Sequence, residues 1–124
     1  MAINIMKFEK YGTLIGIVKS KEPIVHTDQE FLDLIMQVNH DADSQFMVIE
    51  KEALPEEFYN LSSGIAGQFH QKLSNYRMRM AVVGDFSSYE QKSKAFADYV
   101  KESNDIGDII FLRNINQAIS YFAD

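Results

Sequence analysis

Carboxylates, serines and one arginine of this 124-residue chain stand where chemistry is done in layered α/β proteins. Ligands of an open parallel sheet collect beyond the carboxyl ends of its strands, where helix N-termini present unpaired amides. Short apolar runs at Phe46 to Ile49, Met80 to Val83 and Ile109 to Leu112 read as buried strands. The residues that follow them are the candidates: Glu50 and Glu52, then Asp85, Phe86 and Ser87, then Arg113 and Asn114. Ser62, Ser63 and Gly64, with Gly67 behind them, join the set at the start of a helix. Glu50 and Asp85 on neighbouring strand ends would pair as carboxylates, an arrangement for proton transfer or for Mg²⁺. Asp85 also has a plainer use in Gly84-Asp85-Phe86-Ser87, receiving amides of the helix behind it. With Glu50, Glu52 and Asp85 together, the strand-end surface should be acidic and suited to a basic partner or a cation.

The remaining polar groups each have a structural use that competes with a chemical one. A serine before a helix satisfies an orphan amide, so Ser62 and Ser63 read first as caps. A phosphate on either would be favoured by the helix dipole, which makes a phosphorylation switch their second reading. No Gly-x-Ser-x-Gly elbow accompanies them, which argues against a hydrolase triad. His26, His40 and His70 have no histidine at i, i+4 and no His-Glu-x-x-His arrangement, so no metal site is expected. Gly64 and Gly67 lack the Lys-Ser/Thr of a phosphate loop and read as close helix packing. Tyr89, Phe96 and Tyr99 have the helical spacing of core residues, with the Tyr99 hydroxyl free to reach an edge. Glu102-Ser103-Asn104 closes a helix; Asn104 suits a left-handed cap, while Glu102 and Ser103 find no such assignment.

The elements that must position these groups follow from apolar periodicity. Ile3, Ile5 and Phe8 precede a turn at Lys10-Tyr11-Gly12, and Thr13 to Lys19 follows with apolar side chains on both faces, as in a hairpin with an interior second strand. Thr27-Asp28-Gln29-Glu30 is a capping box for a helix that buries Phe31, Leu34, Ile35 and Val38. After the Phe46 strand, Pro55 starts a short helical turn, and Ile65, Phe69, Leu73 and Tyr76 mark a further helix. Behind the Met80 strand, Ser87 or Ser88 caps one long helix to about Ser103. Asn114 with Gln117 caps the last helix, whose face is Ile115, Ala118, Ile119 and Phe122. The order ββαβαβαβα predicts one α/β domain over residues 1–124, a mostly parallel sheet with helices packed on it and an antiparallel hairpin at its edge.

Composition narrows the partners. With 46% hydrophobic and 24% charged residues the chain has material for one core. Lys and Arg number 12 against 18 Asp and Glu, a net charge of −6 and the wrong sign for a phosphate backbone, so no nucleic acid is expected. The absence of cysteine excludes disulfides, zinc–thiolate and Fe–S sites and thiol nucleophiles. No apolar run approaches the ~20 residues of a membrane span, and Met1 to Lys10 lacks the regions of a signal peptide, so a cytoplasmic protein without a membrane partner is expected. No motif implies a cofactor.

Four short motifs in order, Gly64-Ile65-Ala66-Gly67, Asn75-Tyr76-Arg77, Val83-Gly84-Asp85-Phe86 and Glu102-Ser103-Asn104, resemble the bacterial domain-of-unknown-function 4180 family across nearly the whole chain. That resemblance implies a small α/β fold and brings no activity with it. A glycine usually follows the Glu-Ser-Asn motif of that family at once, whereas Asp105 and Ile106 precede Gly107 here. The topology is also similar to the STAS domains of anti-sigma-factor antagonists, which use a serine at such a helix start as a phosphorylation switch. The acidic lead-in of that pattern is missing, since Phe58, Tyr59, Asn60 and Leu61 stand ahead of the serines.

Two functions compete on these readings. The first is a non-enzymatic, STAS-like regulatory module that binds a protein through the Ser62 to Gly67 helix start and the adjoining Glu50 and Asp85 loops. The second is a small-molecule-binding protein or enzyme that uses Glu50, Asp85, Ser87, Asn104 and Arg113 at the strand ends. A deep, partly apolar pocket with a perturbed carboxylate favours the second, and a shallow patch around Ser63 the first. The hairpin edge or an exposed helix offers a surface for a homodimer.

Overall fold

The computed structural model describes residues 3–124. Strands β1 (Ile5–Lys10) and β2 (Thr13–Val18) form the hairpin. Tyr11 and Gly12 turn it with φ of 52° and 82°, the paired positive values whose twist matches the strands they join. Thr27 opens α1 (Asp28–Ala42): its Oγ1 accepts the Glu30 amide at 3.1 Å, and Glu30 Oε1 accepts the His26 amide at 2.7 Å, so the reciprocal arm of the capping box reaches one residue further back than usual. Ser44 is buried between α1 and β3 (Phe46–Glu50), donating to the Leu14 carbonyl at 2.5 Å and accepting the Phe46 amide at 2.9 Å.

Three short 3₁₀ turns, Lys51–Ala53, Glu56–Tyr59 and Leu61–Ser63, lead to α2 (Ile65–Asn75). The chain continues through β4 (Arg79–Val83), α3 (Ser87–Lys92), α4 (Lys94–Ile106), β5 (Ile109–Leu112) and α5 (Ile115–Ala123). The expected single helix from Ser87 to Ser103 is thus two. Ser93 divides it: extended at φ −142° and ψ 111°, it accepts the Phe96 amide on its Oγ at 3.1 Å and starts α4 on a new course. That helix continues through Asp105 and Ile106 to a left-handed Gly107, so the two residues ahead of the glycine lengthen the helix. Asn104 is therefore not the expected left-handed cap. Its side chain lies along β5 instead, Oδ1 accepting the Phe111 amide at 2.7 Å and Nδ2 donating to the Phe111 carbonyl at 3.3 Å, as a neighbouring strand would.

The sheet runs β1-β2-β3-β4-β5, antiparallel at β1–β2 and parallel elsewhere. A strand order that never reverses, its parallel crossovers following the right-handed rule, places α1, α2 and α4 on one face. There Met47, Ile49, Met80, Val82, Ile109 and Phe111 meet Phe31, Phe69 and Phe96 in the larger core. The alternate residues Ile15, Ile17, Val48, Ala81 and Val83 face the other side, which α5 covers with Ala118 and Ile119. Among the described residues no helix is long and apolar enough to cross a membrane.

Close contact of α1 with β2 depends on Gly16. A Cβ there would stand 2.6 Å from Val38 Cγ1 and 3.3 Å from Ala42 Cβ. The same helix is tied to α2 by Phe31 and Phe69, whose rings stack at 4.2 Å with 2° between their planes. Gly16→Ala is expected to lower stability by about 1–3 kcal/mol in urea unfolding, the range of an overpacked core. In a Val38→Ala background, where Cγ1 is gone, the same substitution should cost clearly less; an equal cost in both backgrounds would show that the Val38 contact is not its cause.

Candidate functional site

The chain leaves β4 and β5 toward opposite faces of the sheet. From Val83 it passes through Gly84-Asp85-Phe86 to α3 and α4 over the larger core, and from Leu112 it passes through Arg113-Asn114 to α5 on the other side. Diverging connections open a crevice at neighbouring strand ends, the place where open α/β sheets bind ligands. A cleft of about 680 Å³ occupies it, walled by Asp85, Phe86, Ser87, Val100, Phe111 and Gln117. A second cleft of about 570 Å³ lies on the α5 side, lined by the apolar Met6, Phe8 and Ile17 and by the charged Lys19, Lys21 and Glu50. Gly84 and Arg113 border both.

Asp85 is built into the start of α3. Its Oδ1 accepts the Ser87 amide at 3.0 Å, so the helix expected to be capped by Ser87 or Ser88 is held by the carboxylate ahead of them. That amide, the Ser87 hydroxyl and then the Lys51 and Arg113 charges hold the Asp85 carboxyl below the usual carboxylate range. A carboxylate so held is a weak base at neutral pH.

Behind Asp85 stands a cluster that the sequence reading does not contain. Lys51 Nζ donates to the Asp85 carbonyl at 2.8 Å and lies 5.8 Å from the centre of the Tyr89 ring. Its stem passes against Gly84, where a Cβ would come within 2.9 Å of Lys51 Cβ. Tyr59 is buried, donates to the Lys51 carbonyl at 2.6 Å and stacks on Tyr89 at 4.6 Å. The Tyr89 hydroxyl donates to the Glu56 carboxylate at 2.8 Å. Burial, reinforced by Glu56, pushes the Tyr89 hydroxyl up to about 12, and burial raises that of Tyr59 as well. Both phenols stay neutral donors and fix the path of the Lys51–Tyr59 segment.

The expected carboxylate pair does not form. Glu50 lies on the α5 side of β3 and accepts Lys21 Nζ at 2.7 Å, whereas Asp85 turns to its own helix and lines the other cleft. The strand-end surface expected to be acidic is mixed in charge: Lys21 pairs with Glu50, Lys19 and Arg113 border the same cleft as Glu52, and Glu90 lines the larger cleft with Asp85. Ser62 and Ser63 lie in the last 3₁₀ turn rather than at the N-cap of α2, which is Gly64. Ser62 Oγ donates to Asn60 Oδ1 at 2.8 Å; Ser63 Oγ donates to the Glu57 carbonyl at 2.6 Å and accepts the Ile65 amide at 3.2 Å. Gly67 is exposed, and a Cβ on it would meet nothing within 4 Å, so close packing does not account for it. None of Ser62, Ser63, Gly64, Gly67, Glu102 and Asn104 lines either cleft. The Tyr99 hydroxyl is buried rather than at an edge. Asn114 and Gln117 do form the expected cap, Asn114 Oδ1 accepting the Gln117 amide at 2.9 Å while Gln117 Oε1 accepts the Arg113 amide at 2.9 Å.

A family model, domain of unknown function (DUF4180), matches residues 10–122. The chain belongs to that family. No curated protein and no solved structure matches it. The DUF4180 span contains the ends of β4 and β5 with Asp85 and Arg113, and it begins at Lys10, beyond the Met6 and Phe8 of the second cleft. Within it, the Val83-Gly84-Asp85-Phe86 motif shapes the crevice, Glu102-Ser103-Asn104 secures the edge of β5, and Asn75-Tyr76-Arg77 ends α2 with Arg77 at φ 55°.

Asp85→Asn keeps an oxygen for the Ser87 amide and removes the charge. Because the folded carboxyl titrates below its unfolded value, its contribution is present above the ordinary carboxylate pKa and is lost as pH falls through the folded value. In urea unfolding over a series of pH values, wild type should exceed Asp85→Asn near neutrality, with the gap narrowing below about pH 4. A gap that stays constant into acid would mean that the charge of Asp85 does not act on α3.

Proposed function

We propose that this chain is a non-enzymatic, STAS-like regulatory binding module whose recognition surface is the crevice between the ends of β4 and β5, with Arg113 anchoring an anionic group of the partner. The observation that carries this reading is the position of Arg113. It is exposed, borders both clefts, and its backbone is held by the cap at the start of α5. Its guanidinium makes no hydrogen bond or ion pair with the described residues, leaving its fork for a carboxylate or phosphate.

Three of the other charged groups at the crevice serve the fold. Asp85 holds α3, Lys51 binds the Asp85 carbonyl and Glu50 binds Lys21. Proton transfer at neutral pH calls for a group titrating near neutrality, and Asp85 is moved away from it. The regulatory part of the reading rests on the βα order shared with STAS domains, an argument by analogy of fold. A cysteine-free chain suits a reducing, cytoplasmic setting. A small-molecule anion is the second reading, favoured by the apolar walls that Val100 and Phe111 give the larger cleft.

Chain purified from its own host and examined intact by native mass spectrometry is expected to carry a protein or a small anion. Arg113→Glu should lose it, and Ser63→Asp should keep it. Retention by Arg113→Glu together with loss on Ser63→Asp would move recognition to the α2 start and overturn the crevice assignment. Turnover of a copurified small molecule by the wild-type chain would overturn the non-enzymatic reading.

A further inference from the structure

The two edges of the sheet are treated differently. At β5 the Asn104 amide occupies the outer backbone groups of Phe111, while β1 has no neighbour on its outer side among the described residues. On the face that α5 covers, the helix packs against β2 to β5, and Met6 and Phe8 of β1 remain 51% and 38% exposed. We propose that β1 is the interface for a second copy of this chain, the two β1 strands pairing antiparallel about a two-fold axis at Phe8.

The register follows from the hairpin and the charges. Lys10 and Thr13 close the two-residue turn and bond to each other, so by alternation Met6, Phe8 and Lys10 direct their peptide groups toward β2. Ile5, Lys7 and Glu9 then direct theirs outward, and an added antiparallel strand must bond to these. With the axis at Phe8, Lys7 lies opposite the partner's Glu9 and Glu9 opposite the partner's Lys7, each pair exchanging both backbone hydrogen bonds. With the axis at Lys7 or at Glu9, like charges would meet at the centre, which is unfavourable for directly opposed residues. The Phe8 register also sets Phe8 against the partner's Phe8 in a non-hydrogen-bonded pair, where side chains approach most closely. It lays Met6 beside the stem of the partner's Lys10, whose ammonium already pairs with Asp124 at 3.1 Å within its own chain. The side chain of Lys7 faces the α1 side with Gly16, its cross-strand neighbour, and both Lys7 and Glu9 are exposed there.

Sedimentation equilibrium of the purified chain tests the pairing. Wild type is expected to dimerise, and Lys7→Glu and Glu9→Lys should each weaken the dimer about tenfold by opposing like charges at both symmetry-related pairs. An equimolar mixture of the two variants should recover wild-type affinity, because each variant then faces the charge it lacks. The double variant Lys7→Glu/Glu9→Lys should recover it alone, a result peculiar to the Phe8 register, since an axis at Lys7 would then set Glu against Glu. Near-ultraviolet circular dichroism checks that each exposed substitution leaves the monomer folded. A wild-type chain that stays monomeric up to submillimolar concentration, single variants that dimerise unchanged, or a double variant no tighter than the single ones would overturn the proposal.

Discussion

Right-handed crossovers in an unreversed strand order are the constraint from which the rest of this molecule follows. Each parallel connection from β2 to β5 must return on the same side, so α1, α2 and α4 are stacked over one face and most of the aromatic side chains are gathered there. The other face receives a helix only because β5 has no strand to lead to. The terminal α5 is free of the rule, and its short apolar face, Ala118 and Ile119 above all, covers the middle of the sheet and stops short of β1. The crevice and the bare face of β1 share this origin: one lies where the chain changes sides, the other where the lone helix runs out.

The crevice is held open by the backbone rather than by opposed charges. Lys51 reaches across the end of β4 to the Asp85 carbonyl, and the contact is possible because Gly84 has no side chain in its way. Tyr59 and Tyr89 stack beneath it, so the 3₁₀ turns after β3 and the first turn of α3 share one set of contacts. Loops that would otherwise be mobile are given the rigidity of the core, a condition for recognition without large ordering cost. Motif residues at this point of the chain are thereby joints of the fold as well as walls of a cleft.

Much of this was legible because burial leaves periodic marks. Strands covered on both faces need unbroken apolar runs such as Met80 to Val83, and caps such as Thr27 and Asn114 have few alternatives in residue type. The strand-end rule brought Asp85, Phe86, Ser87 and Arg113 to one cleft and Glu50 to the adjoining one. The break at Ser93 was hidden by the good helix formers around it, Gln91, Lys92, Lys94 and Ala95, since the cap is a single hydroxyl with no acidic partner. Lys51, Tyr59 and Tyr89 went unread as a group because their meeting depends on the path of three short turns, which no local pattern encodes. Ser62 to Gly67 marks a helix start correctly, yet whether that start borders the crevice is a question of tertiary path, and it does not.

Asn104 has a bearing on how this protein behaves in crowded solution. A sheet with two open edges can add a neighbour at each, and repetition of one such contact without closure gives an open-ended fibre. Here a single side-chain amide takes the hydrogen-bonding groups of Phe111 that a foreign strand would need. A strand added at β5 would have to displace that amide, whereas β1 carries no such side chain on its outer groups among the described residues. The amide acts as a stopper on one edge, which makes the two ends of the sheet unequal as templates for a further strand.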